Sequence, residues 1–271
     1  MSALPRAELH AEYVHVAVAG RDSEVAVYRA RQPRIGTLVF VHGAGCDHHV
    51  AEPLAHALPD FDIVAPDLPG RSRTPGAPCT TAAEAAAFVG AAIDALTPRD
   101  DLALRRALVL GHSYGGAIAI ELAFLRELAG LVLASTGARL RVAPSLLAAM
   151  GLQARASTQS SGLFGWSASA DPSVVARLDA HARAVPSATS VADWHAADAF
   201  DRIGQLDALH TPALLLSGDA DLLTPAKYAH YLAAHLPGAQ LELLPQAGHM
   251  LPLEQPARIA PLIRGFALAN R

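Results

Sequence analysis

Cysteine is almost absent: Cys46 and Cys79 are the only two, too few for a disulfide framework. Long hydrophobic runs are missing as well. Glu121 interrupts the best candidate, so no segment offers the roughly 20 apolar residues of a membrane helix. Positive charge is not in excess: 21 Lys and Arg against 25 Asp and Glu leave a net charge of -4. A chain without a basic field has nothing to hold a phosphate backbone, which excludes nucleic acid as a partner. The segment ahead of Tyr13 lacks the apolar core of a signal peptide, and a cytoplasmic location is expected. Aromatics make up only 5%. The core must then be built of Ala, Leu and Val, and any aromatic in a loop stands out.

What remains is a packed globular chain: 52% hydrophobic and 17% charged over 271 residues. That length suits one large core carrying an insertion better than two equal domains. Residues 13–19 and 24–30 alternate apolar and polar and read as an antiparallel pair turning at 20–22. Then short, mostly apolar runs appear at 37–41, 62–65, 107–110, 131–134 and 213–216, with a last strand at 240–244. Such runs suit strands buried on both faces of a parallel sheet. Helical stretches separate them at 49–58, 81–96, 114–128, 225–236 and 254–269. The alternation predicts an α/β fold: a mostly parallel, eight-stranded sheet with helices on both faces. Residues 138–209 break the rhythm. They hold helical pieces, a Ser/Gly-rich stretch at 157–169 and both tryptophans, Trp166 and Trp194. A structureless loop of that length is uncommon, so an inserted helical cap is expected there, with 1–137 and 210–271 forming the core.

Chemistry concentrates in a few places. Gly111-His112-Ser113-Tyr114-Gly115 follows one apolar run and opens a helical stretch. A serine on so sharp a strand-to-helix turn needs small neighbours two residues away, and Gly111 and Gly115 provide them. A serine hydroxyl is a weak nucleophile without a base. His249, after the last strand, can serve as that base, and Asp219 or Asp221, after the run at 213–216, can orient it. The order Ser, Asp, His differs from that of the chymotrypsin and subtilisin types. His42-Gly43-Ala44-Gly45 ends another run. Backbone N–H groups of Ala44 and Tyr114 there can form an oxyanion hole.

Together these pieces resemble the α/β-hydrolase superfamily, in its capped, esterase-like branch. The matching segments are VHGAG (41–45), DLPGRS (67–72), GHSYGG (111–116), GDADLLTP (218–225) and GHMLPLEQP (248–256). The resemblance implies a triad of Ser113, Asp221 and His249, and favours Asp221 over Asp219 because the family's acid lies three residues after the glycine. Two departures stand out. Ala44 takes a place that is often bulky, and 67–72 is shorter than the usual DxxGxGxS.

The expected activity is serine hydrolysis of a small to medium carboxylic ester, since the insertion is too short to build a polymer cleft. A C–C bond hydrolase, lactonase, amidase or cofactor-free perhydrolase would use the same triad, and a non-catalytic ligand-binding protein is the non-enzyme alternative. Ser113 excludes efficient haloalkane dehalogenation, which needs an aspartate at the elbow. Trp166, Trp194 and Met250 are candidates for the substrate pocket, with Phe164 and Phe200 as further aromatics of the insertion. His42, His112 and Cys46 are expected to be packing residues. Asp47-His48-His49 and the polar groups Asp193, His195 and Asp198 are expected to be solvated. No metal, no cofactor, no membrane and a monomer or homodimer complete the expectation.

Overall fold

The short apolar runs are the inner strands of one sheet. The computed structural model describes residues 10–71, 73–98, 104, 107–155 and 164–270, with the backbone alone for 150–155. The polar lead-in at the N-terminus, Ser72 and the first half of the Ser/Gly-rich stretch lie outside the described residues. Eight strands align in the order β1-β2-β4-β3-β5-β6-β7-β8. They are β1 (Glu12–Val18), β2 (Arg21–Tyr28), β3 (Gly36–Val41), β4 (Phe61–Ala65), β5 (Leu108–His112), β6 (Gly130–Ala134), β7 (Ala213–Gly218) and β8 (Gln240–Leu244). Every residue of β4, β5, β6 and β7 is buried, while β1 at the edge alternates. Pairing is antiparallel for β1–β2 and β2–β4 and parallel elsewhere.

The first hairpin turns earlier than the alternation predicts. Val18 pairs with Arg21 across a two-residue turn in which Ala19 and Gly20 both have positive φ, 49° and 76°. That is the geometry a tight, right-twisted hairpin prefers, and it brings Arg21 and Asp22 into β2.

The crossovers carry α1 (Glu52–Ala57), α2 (Ala82–Leu96), α3 (Tyr114–Leu125) and α7 (Lys227–His235), and the chain ends in α8 (Leu251–Glu254) and α9 (Pro256–Ala269). Helix α2 packs on α3, and α1 packs on α9. Right-handed crossovers put the first pair on one face of the sheet and the second on the other. Two of the expected helices are broken. Residues 49–58 begin as a 3-10 turn, His48–Ala51, capped by the Asp47 side chain, before α1 starts with Pro53 in its first turn. Residues 254–269 split at Gln255 (φ -132°, ψ 39°), because the residue before Pro256 is driven out of the helical region. Among the described residues, no helix is long and apolar enough to cross a membrane.

Between β6 and β7 the described residues form three more helices, α4 (Pro144–Arg155), α5 (Pro172–Ala184) and α6 (Ser187–Ala199). The two ends of this segment close on each other: Arg202 N–H donates to the Ala138 carbonyl at 2.7 Å, and Arg139 bridges Asp201. Phe164, Leu178, Trp194 and Phe200 are buried and join the core cluster.

From β3 the chain moves to one side, to β4, and then crosses to the other side, to β5. Loops leaving the carboxyl ends of β3 and β5 therefore diverge. A crevice opens at such a reversal, and the sequence places its two glycine-rich loops there.

Candidate active site

Ser113 stands between β5 and α3 with φ 55° and ψ -119°, a left-handed conformation rare for a residue with a Cβ. Close packing enforces it. A Cβ on Gly111 would lie 2.2 Å from the Gly115 carbonyl oxygen, and one on Gly115 would lie 2.1 Å from that of Val41. The turn is also pinned by hydrogen bonds. Ser113 N–H donates to Ala134 O at 2.9 Å, and Thr136 Oγ1 donates to Ser113 O at 2.8 Å. Gly115→Ala is accordingly expected to destabilise the fold by at least about 3 kcal/mol, the upper end of usual overpacking costs. A chemical denaturation midpoint checks this.

Ser113 Oγ lies 2.9 Å from His249 Nε2. His249 Nδ1 lies 2.9 Å from Asp221 Oδ2 and 3.1 Å from Oδ1. A nitrogen facing a carboxylate carries the proton, so Nε2 is left as the acceptor for the serine hydroxyl. Asp221 and His249 are both buried. Burial pushes the Asp221 carboxyl up. The His249 ring and the hydrogen bonds from His249 and Thr224 outweigh it and bring the pKa down to about 2. Asp221 accepts from Leu223 N–H (2.8 Å), Thr224 N–H (2.9 Å) and Thr224 Oγ1 (2.7 Å). The rival Asp219 is exposed, and its Oδ1 accepts from Gln246 N–H at 2.7 Å, away from the histidine.

The His249 backbone is held from two sides. Its N–H donates to Gly165 O, and its carbonyl accepts from His112 Nε2, both at 2.9 Å. Glu254 completes the loop by accepting from Gly248 N–H at 3.0 Å and Met250 N–H at 3.1 Å. His42 and His112 are fully enclosed, and burial brings their pKa values down to about 4 and about 3. Both stay neutral. His42 bridges the Gly43 carbonyl (2.9 Å) and Leu68 N–H (3.2 Å).

The Gly43-Ala44-Gly45 loop faces this group. Ala44 N–H has no partner among the described residues. Tyr114, as the first residue of α3, has no acceptor within its helix. The Gly45 N–H is already engaged with Asp193 Oδ2 at 3.0 Å. A cavity of about 170 Å³ opens beside Ser113 and His249, walled mainly by Ala44, Leu140, Val142, Leu146, Trp194 and Leu223, with Arg141 and Tyr228 adding polar atoms. Trp194 is on this wall. Trp166 and Met250 are not: Met250 is fully buried beneath the His249 loop.

A match to the model of the Alpha/beta hydrolase family covers residues 38–262. The chain belongs to that family. This alpha/beta hydrolase is 31% identical to a pimeloyl-[acyl-carrier protein] methyl ester esterase of Neisseria meningitidis, over 84% of the chain and 91% of the relative. It is 30% identical to a putative carbamate hydrolase, RutD, of Pseudomonas syringae, over 85% and 93%. Its fold superposes on an enol-lactonase of Burkholderia xenovorans with a TM-score of 0.81, 21% identity, and coverage of 95% of this chain and 100% of that one.

Of the residues expected to be solvated, His195 is exposed, but His48 and Asp193 are not. His48 is buried, with Nδ1 2.9 Å from Asp67 Oδ2 and Nε2 3.2 Å from the Tyr13 hydroxyl. Asp47, His48 and His49 bring one ligand-type atom each within 4.8 Å of one another, yet His49 Nδ1 is also taken, by Asp47 Oδ1 at 2.9 Å. The trio folds inward because Asp67 and Asp47 offer acceptors that water would otherwise supply. Asp193 is buried too, against Arg71 and the Gly45 amide. Arg71, Asp193 and Glu254 leave no local pattern in the sequence. Thr224 does: an Asp followed by Thr three residues on is a turn in which the side chain caps the backbone.

Proposed function

We propose that this alpha/beta hydrolase cleaves small to medium carboxylic esters through an acyl-enzyme on Ser113. His249 takes the hydroxyl proton as Ser113 attacks the ester carbonyl, and Asp221 holds the imidazole and balances its cation. The amides of Ala44 and Tyr114 receive the oxyanion, with the positive end of α3 behind them. His249 then gives its proton to the departing alcohol and activates the water that releases the acid. Residues 138–209 act as the cap that shapes the acyl pocket. The scheme calls for no metal and no organic cofactor.

One observation carries the reading: Ser113 Oγ sits 2.9 Å from His249 Nε2, while the opposite nitrogen of that ring is anchored on Asp221. The apolar wall around Leu140, Leu146 and Trp194 supports an acyl chain as the bound group. The relatives named as a methyl ester esterase and a carbamate hydrolase point to the same kind of carbonyl chemistry. A series of p-nitrophenyl esters from acetate to palmitate tests it. Turnover is expected to be best at short to medium chains and to fall for palmitate. No turnover of acetate or butyrate would count against an esterase.

A further inference from the structure

The loop that would receive the oxyanion is fastened from outside itself. Gly45 has a left-handed φ of 68°, and Cys46 N–H donates back to the Gly43 carbonyl at 3.3 Å, closing a tight turn around Ala44. Two peptide planes flank the Ala44 Cα. The plane carrying Ala44 N–H also carries the Gly43 carbonyl. Fixing that carbonyl through Cys46 N–H and His42 Nδ1 fixes the opposite N–H as well. The next plane carries Gly45 N–H, which donates to Asp193 Oδ2 at 3.0 Å.

Asp193 belongs to α6, 122 residues from Arg71 in sequence, and the same Oδ2 accepts from Arg71 Nη2. Every nitrogen of that guanidinium is used. Nε donates to Cys46 O at 2.7 Å, and Nη1 to Leu68 O at 3.2 Å and Pro69 O at 3.3 Å. Both side chains are at most 3% exposed. Helix α6 touches the same region once more, where Thr189 Oγ1 donates to Gly70 O at 2.9 Å. The residue after Asp193 is Trp194, on the cavity wall.

A buried ion pair adds little stability over a well-packed apolar pair of the same volume. Its geometric effect is large here, because one carboxylate and one guanidinium hold four backbone groups on two loops: Gly45 N–H, Cys46 O, Leu68 O and Pro69 O. We infer that Arg71 and Asp193 are a positioning pair that pre-aims the Ala44 amide at the oxyanion and makes that aim depend on the docking of α6. The inference rests on the serine-hydrolase reading above. The pair touches neither substrate nor Ser113. It acts through the loop, so its loss should weaken transition-state binding and leave ground-state binding nearly intact.

The decisive variant is Arg71→Met with Asp193→Leu, which removes both charges at similar volume and strands neither. It takes these partners from Gly45 N–H and from the Cys46, Leu68 and Pro69 carbonyls, so it is expected to fold but to melt below the wild-type temperature. Its kcat should fall about tenfold to a hundredfold, less than the roughly 10²–10³ seen when an oxyanion donor is deleted outright. KM should stay within about threefold, as expected for a lost transition-state interaction. The inhibition constant of a trifluoromethyl ketone, whose adduct carries the oxyanion, should rise by the factor that kcat/KM falls. Asp193→Asn keeps an acceptor for Gly45 N–H and should recover part of the loss. A folded double variant with kcat within twofold of wild type overturns the inference, as does a loss of kcat that the ketone does not mirror. If the double variant fails to fold, Asp193→Asn decides: a folded protein with wild-type kcat and ketone affinity overturns the inference, and a parallel loss in both supports it. A wild-type protein that turns over no ester fails at the earlier step, and is told apart by that.

Discussion

Ser113→Ala is expected to lower kcat about a millionfold, the scale at which removing a triad serine acts, and to leave the fold intact. The oxygen deleted is the one 2.9 Å from His249 Nε2, and the rest of the turn is held by backbone contacts that alanine keeps. Stability should respond differently to glycine. Ser113 is held at φ 55°, where any Cβ is strained, at roughly 1–3 kcal/mol for such a conformation. Ser113→Gly should then be as inactive as the alanine variant and more stable than wild type, by up to about 1 kcal/mol once the entropy of the unfolded glycine is set against the relief. Thermal melts of the three proteins check the order. An active Ser113→Ala, or a glycine variant less stable than the alanine one, contradicts this description of the elbow.

Asp221→Asn is expected to cost about 10⁴-fold in kcat, because an amide can accept the histidine proton only in competition with donating its own and so permits the wrong imidazole tautomer. Asp219→Asn should change kcat little: its carboxylate is exposed and holds Gln246 N–H. If Asp219→Asn proves the worse variant, the acid has been assigned to the wrong residue. Asp221 also carries a stability signature. Its folded pKa, about 2, lies below its ordinary value of 3.8. The folded state then binds this proton less readily than the unfolded chain. Its contribution to stability is fully present above about pH 4 and is lost as the pH falls toward 2. Asp221→Asn should flatten that part of the acid-unfolding curve.

Legibility in the sequence followed the range of each constraint. The elbow could be read because its causes are local: a Cβ at 111 would meet the carbonyl at 115, so glycine appears in the string itself. Asp221 and His249, the proposed acid and base, could be picked out because each follows a strand end in chain order. Inner strands could be read because burial on both faces makes them mostly apolar, with exceptions such as Asp62, which is buried against Arg34. The hairpin turns at 19–20 and not at 20–22 because Ala19, which accepts φ 49° there, does not advertise a turn as Asn or Gly would. The helix break at Gln255 was available in Pro256 and was overridden by the apolar period around it. The pocket was poorly legible. Only Trp194 of the three residues expected there reaches the wall, because which side of the segment between β6 and β7 faces Ser113 depends on how it docks. The same holds for Arg71 and Asp193. The shortened loop at 67–72 was visible as a departure, but nothing in the string says that its arginine meets a carboxylate more than a hundred residues away.

The central claim is that Ser113 is the nucleophile, and covalent trapping addresses it directly. The wild-type protein, incubated with a fluorophosphonate and digested for peptide mass spectrometry, is expected to carry one adduct per chain on Ser113, with ester hydrolysis lost in step with labelling. An enzyme that hydrolyses esters yet carries no adduct on Ser113, or carries its inactivating adduct on another residue, would contradict it.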